Sequence, residues 1–155
     1  ILNGTGAKRV MSHSILRVER RKNAMNWHAI EGHVERKTED YSNKDIDHNR
    51  THLNYDLINN KWPYYFQRIR ERIADGYNGK RKIRSDAVRL VDGLVTNDES
   101  IFDDKSPEQV KQFFDDSLEF LKEKYGEKNI VYAKVHLDEK TPHMHFGFVP
   151  LTKDG

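Results

Sequence analysis

Residues 131–148 constrain the fold more than any other stretch of the chain. Val131, Ala133, Val135 and Leu137 alternate with Tyr132, Lys134 and His136; after a break, Met144, Phe146 and Phe148 alternate with His143, His145 and Gly147. Side chains on a strand switch faces at every residue, so each run has one apolar and one polar face. Residues 138–142 between them are turn-like, and Pro142 has no N–H to give to a ladder. Paired as a hairpin, the two runs bring His136, His143 and His145 to one face. Three imidazole nitrogens with a further open position make a metal site. The plain alternative is an exposed polar face, which is what His-x-His alone usually means; a third histidine at the facing position favours the metal.

The rest of the chain supplies elements to pack against this hairpin. Residues 14–18 (S-I-L-R-V) read as a short strand. Trp27, Ile30 and Val34 have helical spacing within residues 26–37. Leu53, Tyr55 and Leu57 alternate through a strand at 53–58, with Asn54 and Asp56 on its other side. Pro63 suits the start of a helix over 64–74, and residues 87–96 read as an apolar strand. Ser106-Pro107-Glu108-Gln109 is a capping box with proline at N1. It opens a helix whose apolar stripe is Val110, Phe113, Phe114, Leu118 and Leu121, closed by Gly126. Five strands, three helices and long connections predict an α+β fold. Its sheet is antiparallel or mixed, the helices lie mainly on one face, and the histidines occupy the open one.

At 155 residues the chain suits one domain. Residues 1–10 precede Met11 and read as a cloning remnant or upstream read-through. The chain ends five residues after Pro150, so residues 11–155 are expected to be the N-terminal part of a longer protein. There is no cysteine, hence no disulfide and no thiolate ligand, and no run is apolar enough for a membrane span or signal peptide. These features fit the cytoplasm. The net charge of +2 conceals an asymmetry: residues 1–90 carry 19 Lys+Arg against 11 Asp+Glu, and the remainder 8 against 14. A basic part facing a polyanion is the simplest functional reading. Lys80, Arg81, Lys82 and Arg84, with Arg20, Arg21 and Lys22, are the candidate contacts to a nucleic-acid backbone; each has a solvated loop as its alternative.

Four stretches, in order, resemble one family. Residues 33–36 (H-V-E-R), 42–46 (S-N-K-D-I) leading to 54–57 (N-Y-D-L), 84–88 (R-S-D-A-V) and 136–145 (H-L-D-E-K-T-P-H-M-H) are similar to the motifs of plasmid mobilisation relaxases of the Mob/Pre (MobV) type, in the HUH endonuclease superfamily. The likeness spans about residues 11–150. It implies a bacterial enzyme that nicks one strand of plasmid DNA at an origin of transfer, with its single-stranded and hairpin regions. The enzyme would stay joined to the 5′ phosphate and so initiate conjugative mobilisation. It also implies a divalent metal, foremost Mn²⁺, with Mg²⁺, Co²⁺, Ni²⁺ or Zn²⁺ as alternatives, held by His136, His143 and His145. Three imidazoles favour the transition metals over Mg²⁺. A homodimer through segments beyond residue 155 is a further expectation.

The resemblance assigns the nucleophile to His33. A neutral imidazole can attack phosphorus, which predicts falling activity below about pH 6.5. Arg36, a turn beyond, is a candidate to hold the phosphate, against a surface ion pair with Glu39 or Asp40. Glu139 is a candidate to orient or deprotonate His33, against a solvated carboxylate. Tyr55 is the competing nucleophile, although its parity with Leu53 and Leu57 suits a packed ring; Tyr41, Tyr64 and Tyr65 trail it. Two alternatives stand beside the relaxase. One is a rolling-circle initiator or transposase with a tyrosine nucleophile, and the other is a non-catalytic DNA-binding repressor.

Overall fold

A computed structural model describes residues 14–21, 24–38 and 43–154. Residues 1–10, Lys22, Glu39, Asp40, Tyr41 and Ser42, which figure in the expectations above, lie outside the described residues. The hairpin forms as its pattern dictates. β4 (Ile130–His136) and β5 (His143–Phe148) pair antiparallel, with His136 opposite His143 and Lys134 opposite His145. β3 (Leu90–Thr96) pairs with the other side of β5. β1 (Ile15–Arg21) and β2 (Tyr55–Asp56) form the edges, giving the order β1-β3-β5-β4-β2 with every pair antiparallel. The sheet is therefore the expected five-stranded one, antiparallel throughout.

One face is sealed by α3 (Glu99–Asp103) and α4 (Pro107–Tyr125). Both bonds of the Ser106–Gln109 capping box form, and Gly126, at φ 90°, ends α4 where a side chain would be strained. Phe114, Leu118 and Leu121 of its stripe are buried against Ala133, Val135, Met144 and Phe146. Each such side chain contributes roughly 1.5–3 kcal/mol of apolar burial. Opposite them, α1 (Ala24–Val34) and α2 (Tyr65–Gly76) pack Trp27, Val34, Tyr65 and Ile69 onto Leu90, Val131, Tyr132 and Val149. The helices thus divide between the faces, rather than lying mainly on one, because Val131, Tyr132 and Leu90 give the histidine face an apolar patch that needs cover. The Tyr65 and Tyr132 rings stack 4.2 Å apart. Gly147, opposite Tyr132, leaves space for that ring, since a Cβ there would meet it at 2.2 Å. The histidine end of this face stays open.

Element boundaries differ from the sequence expectation: α1 runs over Ala24–Val34 rather than 26–37, β3 begins at Leu90 rather than at residue 87, and α3 is an added fourth helix. β1 runs on to Arg21, held by its ladder to Leu90. β2 keeps only two residues, because Leu53 closes a 3-10 turn (His48–Leu53) and the Asn54 side chain accepts the Leu137 N–H at 2.8 Å. α2 starts with no cap from Tyr64; Glu31 of α1 accepts the Tyr65 N–H instead, at 2.9 Å. That is a tertiary substitute for the usual N-cap.

Candidate metal centre and active site

The hairpin register sets three imidazoles in a triangle. Ring centroids lie 5.1 Å (His136–His143), 4.8 Å (His136–His145) and 5.0 Å (His143–His145) apart. One nitrogen from each falls within 4.8 Å of the others. Their outer bonds fix which nitrogens face inward. His136 Nε2 donates to the Val34 carbonyl at 2.8 Å, which leaves Nδ1 as its lone-pair nitrogen, 3.0 Å from Arg36 Nη2. His143 Nδ1 donates to the Thr141 carbonyl at 2.9 Å, freeing Nε2. His145 Nε2 is buried with no hydrogen-bond partner among the described residues, an orphan that needs explanation in any folded protein. Backbone carbonyls behind ligating histidines are the usual way of fixing tautomer and ring orientation. Burial, reinforced by the Arg36 cation, takes the His136 pKa down to about 4. Burial and the neighbouring histidines pull His145 well below its ordinary value. Both are therefore neutral donors at pH 7. This donor set fits a divalent transition metal.

Around the triangle the loop 138–142 is locked to the end of α1. The helix closes in a Schellman turn: the Lys37 N–H reaches the Gly32 carbonyl at 2.9 Å and the Arg36 N–H the His33 carbonyl at 3.3 Å. The left-handed position of that turn normally belongs to glycine, yet here it is Arg36, at φ 52°. Its side chain shows why. The guanidinium is buried and donates to Asp138 through Nε (3.0 Å) and Nη2 (2.9 Å), to Glu139 through Nη2 (2.6 Å) and to the His33 carbonyl through Nη1 (3.1 Å). Nη2 also lies 3.0 Å from His136 Nδ1. Arg36 thus ties the loop 138–142 to the end of the helix that carries His33 from within, through buried carboxylates rather than a surface ion pair.

Asp138, which sequence reasoning quoted without a role, is fully buried. Burial alone would raise its pKa, but hydrogen bonds from Arg36 and Thr51 hold it well below the carboxylate range. Its carbonyl accepts from the Asp47 N–H at 2.7 Å. Glu139 is held by Arg36 and by Asn43 Nδ2 (3.0 Å). One of its oxygens stands 3.5 Å from His143 Nε2 and 3.9 Å from His136 Nδ1, close enough to add an oxygen ligand. Asn43, Thr51 and Asp138 were missed as site residues because nothing local says that the segment 43–54 folds back onto the hairpin loop. Glu35, between His33 and Arg36, accepts from the Tyr65 hydroxyl (2.5 Å) and from Lys134 Nζ (2.6 Å), so the short H-V-E-R segment is anchored on both sides.

His33 stands beside the triangle, half-buried, with its ring 5.2 Å from that of His145 and 6.1 Å from that of His136. Burial first, and then the Arg36 cation, lower its pKa below 6.5. His33, His143, His145, Glu139 and Asn43 all line one open cavity of about 590 Å³.

Other candidates are placed elsewhere. Tyr55 pairs with Val135 on the α4 face; its hydroxyl is buried without a partner among the described residues, and its pKa is pushed up to about 12 by burial. The sheet separates it from the histidines. Tyr64 is exposed, and Tyr65 is buried on Glu35. Arg20 alternates onto the α4 side, opposite Val91. Arg21 is on the histidine side but is paired with Asp92 (2.6 Å) and with Glu19. Lys80, Arg81, Lys82 and Arg84 are exposed in the loop before β3, with Arg84 bonded to Asp86 at 2.6 Å. That loop enters β3 at Leu90, four residues before the partner of His145, more than about 13 Å along the strand.

This sheet, with three histidines on its central hairpin and a fourth at the adjoining helix end, has the fold of a relaxase domain. The fold is that of the MobM relaxase domain (MOBV; Mob_Pre) in a manganese-bound crystal structure with plasmid pMV158 oriT DNA. The TM-score is 0.85 at 38% identity, over 92% of this chain and 73% of that one. The chain belongs to the Mob_Pre family, described as plasmid recombination enzyme, whose model matches residues 11–155. It is 59% identical over 145 residues to plasmid recombination enzyme type 1 of Staphylococcus aureus, and 51% identical to type 3 from the same species. These alignments cover 94% of this chain but 36% and 35% of the relatives, so the chain spans about a third of their length.

Proposed function

We propose that this chain is the catalytic domain of a plasmid relaxase, which nicks one strand at an origin of transfer and carries it covalently to start mobilisation. The observation that carries the reading is His33: a neutral, half-buried imidazole in the same cavity as His143 and His145, its ring 5.2 Å from that of His145. His136, His143 and His145 would hold the metal, Mn²⁺ by analogy with the manganese-bound MobM structure. A divalent cation there neutralises a non-bridging phosphate oxygen and orients the scissile group. His33 then attacks phosphorus through its unprotonated nitrogen. The P–N bond forms as the P–O3′ bond breaks; the electron pair leaves with O3′, which takes up a proton as the 3′ hydroxyl, and the imidazole loses its remaining N–H proton. The 5′ phosphate stays on His33 as a phosphoramidate, and the reverse reaction reseals the strand without ATP.

In this scheme Arg36 and Glu139 position His33 and the ligand loop. The substrate is plasmid DNA in the bacterial cytoplasm; no helix among the described residues is long and apolar enough to cross a membrane. The test is a nicking assay on supercoiled plasmid from the same source, with Mn²⁺ or with chelator, resolved on a denaturing gel before and after protease. Metal-dependent relaxation with protein on the 5′ end supports the reading. Tight, metal-independent binding without a cut, persisting in a longer form of the protein, defeats it in favour of a repressor.

A further inference from the structure

The open half of the histidine face is floored by β1 and β3. Strand parity puts Ile15, Arg17, Glu19 and Arg21 of β1 on that face, opposite Thr96, Leu94, Asp92 and Leu90. Leu94 in turn pairs with His145, so Arg17 sits two ladder steps from a metal ligand, about 10 Å across the sheet. A groove of about 290 Å³ runs beside Arg17, Glu19 and Arg21 and reaches His145. It shares Leu94 and His145 with the larger cavity that holds His33, so the two form one continuous trough.

The charges in this trough are unevenly matched. Arg21 engages both neighbouring carboxylates, Asp92 at 2.6 Å and Glu19. Arg17 is exposed, and among the described residues no acidic group pairs with it. The larger cavity carries Asp45, Asp98 and Glu99 together with Lys140, whose Nζ bonds Glu99 at 3.0 Å. Arg17 is thus the trough's guanidinium that no carboxylate among the described residues holds, and it attracts a polyanion there.

We infer that Arg17 is a substrate-positioning residue: its guanidinium grips a backbone phosphate of the single strand, two or three nucleotides from the scissile one. The spacing follows from about 10 Å of sheet against a rise of about 3.4 Å per stacked nucleotide. The inference rests on the relaxase reading and adds to it the path of the strand over β1.

The experiment measures binding of a mixed-sequence 12-nucleotide single strand by fluorescence anisotropy across a salt series, with plasmid nicking assayed in parallel. Arg17→Ala is expected to weaken binding about three- to tenfold at low salt and to reduce the slope of log affinity on log salt by about 0.7, the value of one lost single-strand phosphate contact. Arg17→Lys keeps most of that slope. Lys124→Ala, which removes the same charge from α4, leaves it unchanged. Equal thermal midpoints establish that all the variants are folded. If Arg17→Ala binds with the wild-type slope, or Lys124→Ala loses as much, the inference is overturned while wild-type nicking leaves the relaxase reading standing. If the wild type neither binds the strand nor nicks plasmid, both fall together.

Discussion

Arg36 and Asp138, 102 residues apart, form a buried two-point ion pair, with Nε–Oδ2 3.0 Å and Nη2–Oδ1 2.9 Å. The arginine ends the helix that carries His33, and the aspartate lies two residues beyond His136. The pair thus ties His33 to the three histidines, alongside the His136–Val34 and Lys134–Glu35 contacts, and the arginine accepts a left-handed backbone to make it.

Removing one partner leaves a charge buried and unpaired, which typically costs about 3–5 kcal/mol. Arg36→Ala should therefore lower the urea midpoint strongly. Arg36→Gly relieves the backbone conformation by up to about 1–2 kcal/mol and should recover part of that loss. Nicking should recover in neither variant, because the tie to Asp138 is gone. Arg36→Lys, with no fork to span both oxygens, should also lose most activity. Urea melts and single-turnover nicking together check this.

The same pair predicts acid lability. The folded-state pKa of Asp138 lies below its unfolded value, so its contribution to stability is present in full above the unfolded value, about 3.9, and is lost as pH falls below it. Wild-type stability should drop steeply between about pH 4 and pH 2. Asp138→Asn should be less stable at pH 7 and flatter over that acid range. Thermal melts against pH decide the point; equal slopes for the two proteins would sink it.

Tyr55 and His33 should separate cleanly. Tyr55→Phe removes a hydroxyl that is buried without a partner among the described residues, so stability should be unchanged or rise by about 1 kcal/mol and the covalent adduct should still form. His33→Ala should retain the fold and form no adduct. Because burial and Arg36 lower the His33 pKa, the acid limb of wild-type nicking should lie below pH 6.5 rather than at it. An adduct from His33→Ala would return the nucleophile to a tyrosine.

Metal should stabilise the fold through the triangle. Mn²⁺ at about a hundred times its dissociation constant should add about 2.7 kcal/mol, seen as a rise in thermal midpoint that EDTA reverses. His143→Ala and His145→Ala should abolish most of that rise. A full rise in both variants would place the metal elsewhere.

Residues 132–148 were legible from sequence because strand alternation and hairpin register are local: together they put His136, His143 and His145 on one face. Val131 was not, because a register shift between Ile130 and Tyr132 turns it to the histidine side instead of the side of Ala133 and Val135. The helix α4 was legible for the same local reason, since its capping box, stripe and closing glycine all act within one turn of their own position. A five-stranded sheet, antiparallel or mixed, followed from these, and the family from four ordered motifs; that every pair is antiparallel is seen in the structure. Tertiary structure alone decided the rest. Whether Arg36 meets a phosphate or a buried aspartate depends on how α1 lands on the hairpin loop. That Tyr55 lies on the α4 side of the sheet and His33 beside the three histidines depends on how β2 and α1 are placed. Asn43 and Thr51 enter the site only because the segment 43–54 folds back over the hairpin loop. Local sequence fixes which groups share a face of one element; contacts between residues a hundred apart are set by the packing of whole elements, which no short pattern encodes.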